Sequence, residues 1–181
     1  MLEYIKKEKC FSVEECNFIL KKYKKANWTT HMWSNSKAEQ LPPIKNHKDL
    51  LVISPDREDG QFIFNKIQYF VLDYLKQLNL NLTIIKKFSA IRLNKYPKGS
   101  SMLPHVDHIH SLFDGKEKGI PILSMVGLLN DNFKGGEFLI CNKDINLKQG
   151  EVVVFPSVFL FPHEVKKIIK GDRYSFVVWA Y

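Results

Sequence analysis

Residues 151–163 read "EVVVFPSVFLFPH", an apolar stretch cut twice by proline and closing on a histidine. A helix that spans a bilayer needs about 20 consecutive apolar residues, so this run is too short and too interrupted for one. Its β-branched and aromatic content predicts two buried strands instead, 151–155 and 158–163. The same texture extends in both directions. From Asn79 onward, short apolar or alternating segments are separated by Gly, Pro and Asn, and they predict further strands at 83–95, 102–108, 121–129, 137–141 and 172–180. Many short strands with turn signals between them point to a sandwich or barrel.

The first 80 residues read differently. In "FSVEECNFILKKYKK", Ser12 stands three positions before Glu15, the spacing of a capping box, and Cys16, Ile19, Leu20 and Tyr23 share one helical face. A helix over about 12–25 follows. In "GQFIFNKIQYFVLDYLKQLNL", Ile63, Ile67, Phe70, Val71, Tyr74, Leu75 and Leu78 recur at helical spacing and predict a longer one. Between them, residues 26–54 show no sustained period beyond one candidate strand at "LLVIS". The expected class is α+β, two helices packed outside a jelly-roll-like barrel. A length of 181 residues suits one domain over 1–181, with 1–80 as the helical support region and 83–181 as the barrel.

Composition narrows the function classes. An apolar fraction of 45% with 13% aromatics is that of a folded chain, not a disordered one. "MLEYIKKEKC" lacks the apolar core of a secretory signal, and the expected location is cytoplasmic, with no membrane partner. Three scattered cysteines, Cys10, Cys16 and Cys141, form no CxxC pair and predict reduced thiols. The net charge of +8 admits a nucleic-acid partner but does not favour one. Of 27 basic residues only Arg57, Arg92 and Arg173 are arginines, and the lysines form no stripe.

Chemistry concentrates in "LPHVDHIH", residues 103–110. On a strand, residues i and i+2 share a face, so His105 and Asp107 would project together while Val106 points away. His163, at the end of the predicted strand 158–163, would be brought opposite them by a sandwich topology. Two imidazoles and one carboxylate occupy one face of an octahedral ion and leave the other open, the donor set of non-haem Fe(II) oxygenases. HxD alone is a short motif, and "HIH" also satisfies the i, i+2 rule. His108 is out of phase with His105, and His110 would stand near the rim, where it suits substrate contact. Arg173 in "GDRYSFVVWAY" shares a strand face with Ser175, and a guanidinium beside a hydroxyl suits a carboxylate. Arg92 shares a face with Phe88 and Tyr96 and is expected to point inward, toward an acidic substrate group or a structural ion pair.

Taken together, Tyr96 in "NKYPKGSSMLPHVD", then "LNDNFKGGEF", "LKQGEVVVFPS" and the closing H…GxRxS…W resemble the Fe(II)/2-oxoglutarate-dependent dioxygenases, in particular their prolyl-4-hydroxylase-like, PKHD-type branch. The resemblance covers residues 88–181 and implies a double-stranded β-helix (jelly-roll) core. By position, His105, Asp107 and His163 resemble the iron ligands. Arg173 resembles the residue that holds the distal carboxylate of 2-oxoglutarate, and Ser175 and Tyr96 resemble secondary cosubstrate contacts. Many members of the prolyl branch carry Lys at the Arg173 position, so Arg here is closer to the PKHD type. Leu128 and Leu129 stand where some relatives place a tyrosine against the cosubstrate.

The resemblance implies Fe(II), 2-oxoglutarate and O2 as cofactor and cosubstrates, ascorbate as a supporting reductant, and hydroxylation of an unactivated C–H bond with release of succinate and CO2. The implied substrate is a prolyl or other amino-acid side chain, on a peptide or a small amino-acid-like molecule. A demethylase of alkylated nucleic acid and a non-catalytic metal-binding jelly roll are the alternatives. Among the remaining residues, His31 and His47 read as structural, and Trp179, Phe155, Phe159 and Phe161 as core filling. Gly135 and Gly136 read as a turn ahead of a strand that starts at Glu137, and Trp28 and Trp33 as candidates to line an entrance.

Overall fold

The computed structural model describes residues 2–32, 50–107 and 121–181. Trp33, His47, His108 and His110 lie outside the described residues. In chain order the elements are β1 (Lys6–Lys9), α1 (Val13–Tyr23), β2 (Thr29–Thr30), β3 (Leu51–Ile53), α2 (Arg57–Gln77), β4 (Arg92–Tyr96), β5 (Met102–His105), β6 (Leu123–Leu128), β7 (Lys134–Gly135), β8 (Phe138–Ile140), β9 (Lys143–Asp144), β10 (Glu151–Pro156), β11 (His163–Val165), β12 (Ile168–Lys170) and β13 (Arg173–Ala180).

Two sheets carry the architecture, a seven-stranded one in the order β1-β10-β6-β13-β4-β3-β2 and a four-stranded one in the order β5-β11-β8-β9. Every strand pair within them is antiparallel. The sheets face one another across a core in which Val126, Val153, Phe155 and Val177 of the larger meet Phe138, Ile140 and Val165 of the smaller. The rings of Phe138 and Phe155 bridge the gap at 6.2 Å between centroids. This is the expected jelly roll, and the α+β class holds.

The outer face of the large sheet is covered by the helices. Leu93, Met125, Val152, Val154, Phe176 and Val178 pack against Cys16, Ile19 and Tyr23 of α1 and Ile63, Ile67, Phe70 and Tyr74 of α2. The capping box forms as read: Ser12 Oγ accepts from the Glu15 backbone N–H at 3.2 Å, and Glu15 accepts from the Ser12 N–H at 2.9 Å. α2 starts earlier than its apolar period indicated, because Asp56 caps it by accepting from the Asp59 N–H at 3.0 Å. Buried Asp59 accepts from the Tyr23 hydroxyl at 2.7 Å and so ties the two helices together.

Several predicted boundaries shift. The strand expected over 83–95 is a 3-10 turn at Leu82–Ile84, an isolated bridge from Phe88 to Ala180, and regular pairing only from Arg92. The backbone between them bonds irregularly to the end of β13, as from Ser89 N–H to the Trp179 carbonyl at 2.8 Å. Residues 158–162 form no strand: Pro156 and Pro162 bracket a turn, and Phe159 is 77% exposed, so it is not core filling. His163 therefore begins a strand instead of ending one. The strand expected over 102–108 stops at His105, and the one expected from Glu137 starts at Phe138. β1, with the sequence "KKEK", gave no hydrophobic signal, yet it pairs along β10 at the sheet edge. Among the described residues no helix is long and apolar enough to cross a membrane.

Candidate active site

In the register of β5 and β11, His163 lies directly opposite His105, and their ring centroids are 4.3 Å apart. Asp107 follows two residues after the end of β5. Its Oδ1 is 4.0 Å from His105 Nε2, and its Oδ2 is 3.6 Å from His163 Nε2. One ligating atom from each of the three lies within 4.8 Å of the others, a spacing that one divalent ion can gather. Both imidazoles are oriented through their far nitrogen: His105 Nδ1 bonds the Leu103 carbonyl at 2.8 Å, and His163 Nδ1 bonds that of Phe161 at 3.1 Å. A proton held on Nδ1 by a carbonyl leaves the Nε2 lone pair for a metal.

Asp107 and His163 are 9% and 6% exposed. The rings of Phe138 and Phe155 stand edge-on to His163 at 5.9 and 5.0 Å. Burial, then the neighbouring His163, pushes the His105 imidazole down to about 4, so it is neutral at pH 7 as a ligand must be. Burial alone would raise the Asp107 carboxyl, but the facing His163 imidazole and the Ser124 hydroxyl outweigh it and hold the group below the ordinary carboxylate range.

Ser124 was not singled out in the sequence. Fully buried on β6, it donates to Asp107 Oδ2, and its Oγ lies 2.6 Å from that of Ser157, which is also buried. Both sit in apolar sequence, Ser124 within β6 and Ser157 just past β10, where a small serine attracts no notice. The signal available was a polar residue inside "LSMVGL", a segment buried at every position.

Arg173 is 1% exposed on β13, facing the gap between the sheets. Its Nη1 donates to Ser175 Oγ at 2.9 Å, and its guanidinium lies over the Tyr96 ring at 5.3 Å. Among the described residues its Nε has no partner and no carboxylate pairs with it. A buried guanidinium left unpaired is costly, and a carboxylate ligand would relieve it. A cavity of about 380 Å³ reaches Arg173, walled by Leu128, Phe138 and Leu147. Gly136, at φ +70°, lets the chain pass here: a Cβ would meet Ile168 Cδ1 at 2.4 Å and Arg173 Cδ at 3.1 Å.

Arg92 points inward as expected but forms no ion pair with a described residue; its guanidinium stacks on Trp179 at 4.9 Å. Trp28 does not line this site. It joins the helix-side core, with its ring 6.0 Å from that of Tyr174.

The sequence pattern of the 2OG-Fe(II) oxygenase superfamily matches residues 91–181, which hold β4 through β13 and every residue of this cluster. The chain belongs to that superfamily. Membership brings Fe(II) as cofactor with 2-oxoglutarate and O2 as cosubstrates, and a cluster of two His and one Asp near a buried Arg fits them. A PKHD-type hydroxylase of Prochlorococcus marinus (strain MIT 9515) is 29% identical over 57% of this chain, and the match spans 57% of that protein's length. Among solved structures, the chain is similar to a prolyl hydroxylase of Trichoplax adhaerens in complex with a hypoxia inducible factor peptide fragment (TM-score 0.70, 17% identity, 99% of this chain and 85% of that one). It is also similar to the viral collagen prolyl hydroxylase of Paramecium bursaria Chlorella virus-1 in its 2OG complex (TM-score 0.65, 15% identity, 98% and 94%). At these identities the two structures share the fold.

Proposed function

We propose that this chain is an Fe(II)- and 2-oxoglutarate-dependent hydroxylase acting on a prolyl or other amino-acid side chain, with His105, Asp107 and His163 as iron ligands and Arg173 as the receptor for the distal carboxylate of 2-oxoglutarate. The observation that carries this reading is the convergence of two anchored imidazoles and one buried carboxylate on one point between the sheets. The unpaired Arg173 separates it from a purely structural metal site, which needs no carboxylate receptor beside it. The peptide bound to the Trichoplax relative favours a peptide substrate here. Of the three arginines, Arg173 is buried and Arg92 is half-buried against Trp179, which leaves little arginine for the basic surface that nucleic acid would need.

When bound, iron and 2-oxoglutarate supply the oxidising chemistry, activation of O2 with conversion of the cosubstrate to succinate and CO2. The chain's own part is positional. His105 and His163 present Nε2 with their rings fixed by backbone carbonyls, and Asp107 presents a carboxylate oriented by Ser124. Arg173, braced by Ser175 and Tyr96, would hold the far end of the cosubstrate. Phe138 and Phe155 exclude water from the His163 side, which strengthens these polar contacts.

The test is succinate release from 2-oxoglutarate with Fe(II) and ascorbate, measured with and without proline-containing peptides. Succinate formation that depends on iron and increases with a peptide supports the reading. No succinate, together with no 2-oxoglutarate-dependent visible band under anaerobic Fe(II), refutes it.

A further inference from the structure

The hydroxylase reading leaves Arg92 without a task. This residue opens β4, with Asn94 and Tyr96 on the same face, and stands opposite Val177 in the register with β13. Its Nε donates to Asn94 Oδ1 at 3.1 Å, and its guanidinium lies 4.9 Å from the centre of the Trp179 ring. Trp179 is paired with Ser124, the serine that donates to Asp107, so Arg92 leans toward the metal cluster.

Stacking and one side-chain bond fix the guanidinium but do not neutralise it. Among the described residues no carboxylate pairs with Arg92, and its terminal amino groups have no hydrogen-bond partner. The buried indole N–H of Trp179, on the same wall, also lacks one among the described residues. Burial disfavours the charged form of Arg92, with Tyr96 and Asp107 opposing. A half-buried guanidinium whose fork meets no acceptor among the described residues matches a carboxylate in two-point contact.

Arg92 and Arg173 stand at different points along the gap: Arg173 and Val177, the residue opposite Arg92, are four residues apart on β13, about 13 Å at strand rise, and the two guanidiniums lie over different rings, Tyr96 and Trp179. One arginine is spoken for by the cosubstrate's distal carboxylate, which leaves the other for a second molecule.

We propose that Arg92 selects the primary substrate by receiving a carboxylate of it, so that the substrate of this site is an acidic amino acid or peptide. The carboxylate is either the free α-carboxylate of the hydroxylated residue or the side chain of a neighbouring Asp or Glu. This rests on the hydroxylase reading, and the two are separable by experiment.

The protein loaded with Fe(II) and 2-oxoglutarate without oxygen is titrated with two matched pairs, N-acetyl-L-proline against its amide, and the capped tripeptide Ala-Pro-Asp against Ala-Pro-Asn, following the visible band. In one pair the acid is expected to bind at least tenfold more tightly than the amide, since a site built for a charged group rejects the neutral analogue. The discriminating pair identifies the source of the carboxylate. Arg92→Met should erase the preference and Arg92→Lys should keep part of it, whereas the comparison within wild type needs no variant to fold. Failure of wild type to distinguish acid from amide in either pair overturns the assignment. So does an Arg92→Met protein whose affinity for 2-oxoglutarate falls as far as its affinity for the acid, because the guanidinium then serves the cosubstrate. Absence of the visible band in wild type defeats the hydroxylase reading instead.

Discussion

Along β13, Arg173, Ser175, Val177 and Trp179 face the gap between the sheets, while Tyr174, Phe176, Val178 and Ala180 lie against the helices. All eight are buried, so depth does not distinguish the faces; composition does. The helix side is closed by apolar contact, such as Phe176 edge-on to Phe11 at 5.6 Å. Among the described residues, the inner side keeps donors without partners, Arg173 Nε and Trp179 Nε1. Unsatisfied polar groups oppose folding, and the neighbouring apolar face compensates for them. One strand thus separates stability from chemistry by alternation alone.

That separation predicts opposite responses to substitution. The largest is at the inner site: Asp107→Ala should bring succinate release down to background while far-UV circular dichroism stays native, and normal succinate production would remove Asp107 from the ligand set. On the outer face, Phe176→Ala should cost about 3–5 kcal/mol of stability in urea unfolding, as aromatic truncations in packed cores do. Its turnover per folded molecule should change little, and a matching loss there would show that the faces are not independent.

A finer test is Arg173→Lys, which keeps the charge and loses the fork. The KM for 2-oxoglutarate should rise roughly tenfold with little change in kcat, the mark of lost binding energy that ground and transition state share. The smallest of these effects belongs to Ser124→Ala. Removing the hydroxyl that orients Asp107 should weaken Co(II) binding, followed by its visible spectrum, by about tenfold. Unchanged affinity would mean that Asp107 is held by the fold alone.

Strand phase made much of this legible. His105 with Asp107, and Arg173 with Ser175, are read from period-two alternation and recur as neighbours in the structure. The opposition of His163 to His105 required a register that no local pattern carries, since it is set by a pairing between residues 58 positions apart. Ser124 was hidden for the reason that makes it effective: in a strand buried on both faces, alternation of polar and apolar residues vanishes and a serine passes for filler. Phe159 misled in the opposite sense. Its apolar neighbours imitate a strand, but prolines at 156 and 162 turn the backbone outward.

β1 carries a consequence of another kind. Its "KKEK" lies along the outermost edge of the large sheet, where backbone groups left without a strand invite a second molecule to add one. Three lysines in four residues make that addition electrostatically unfavourable between copies of the same chain. The strand that the apolar pattern could not reveal is therefore a guard against edge-to-edge aggregation.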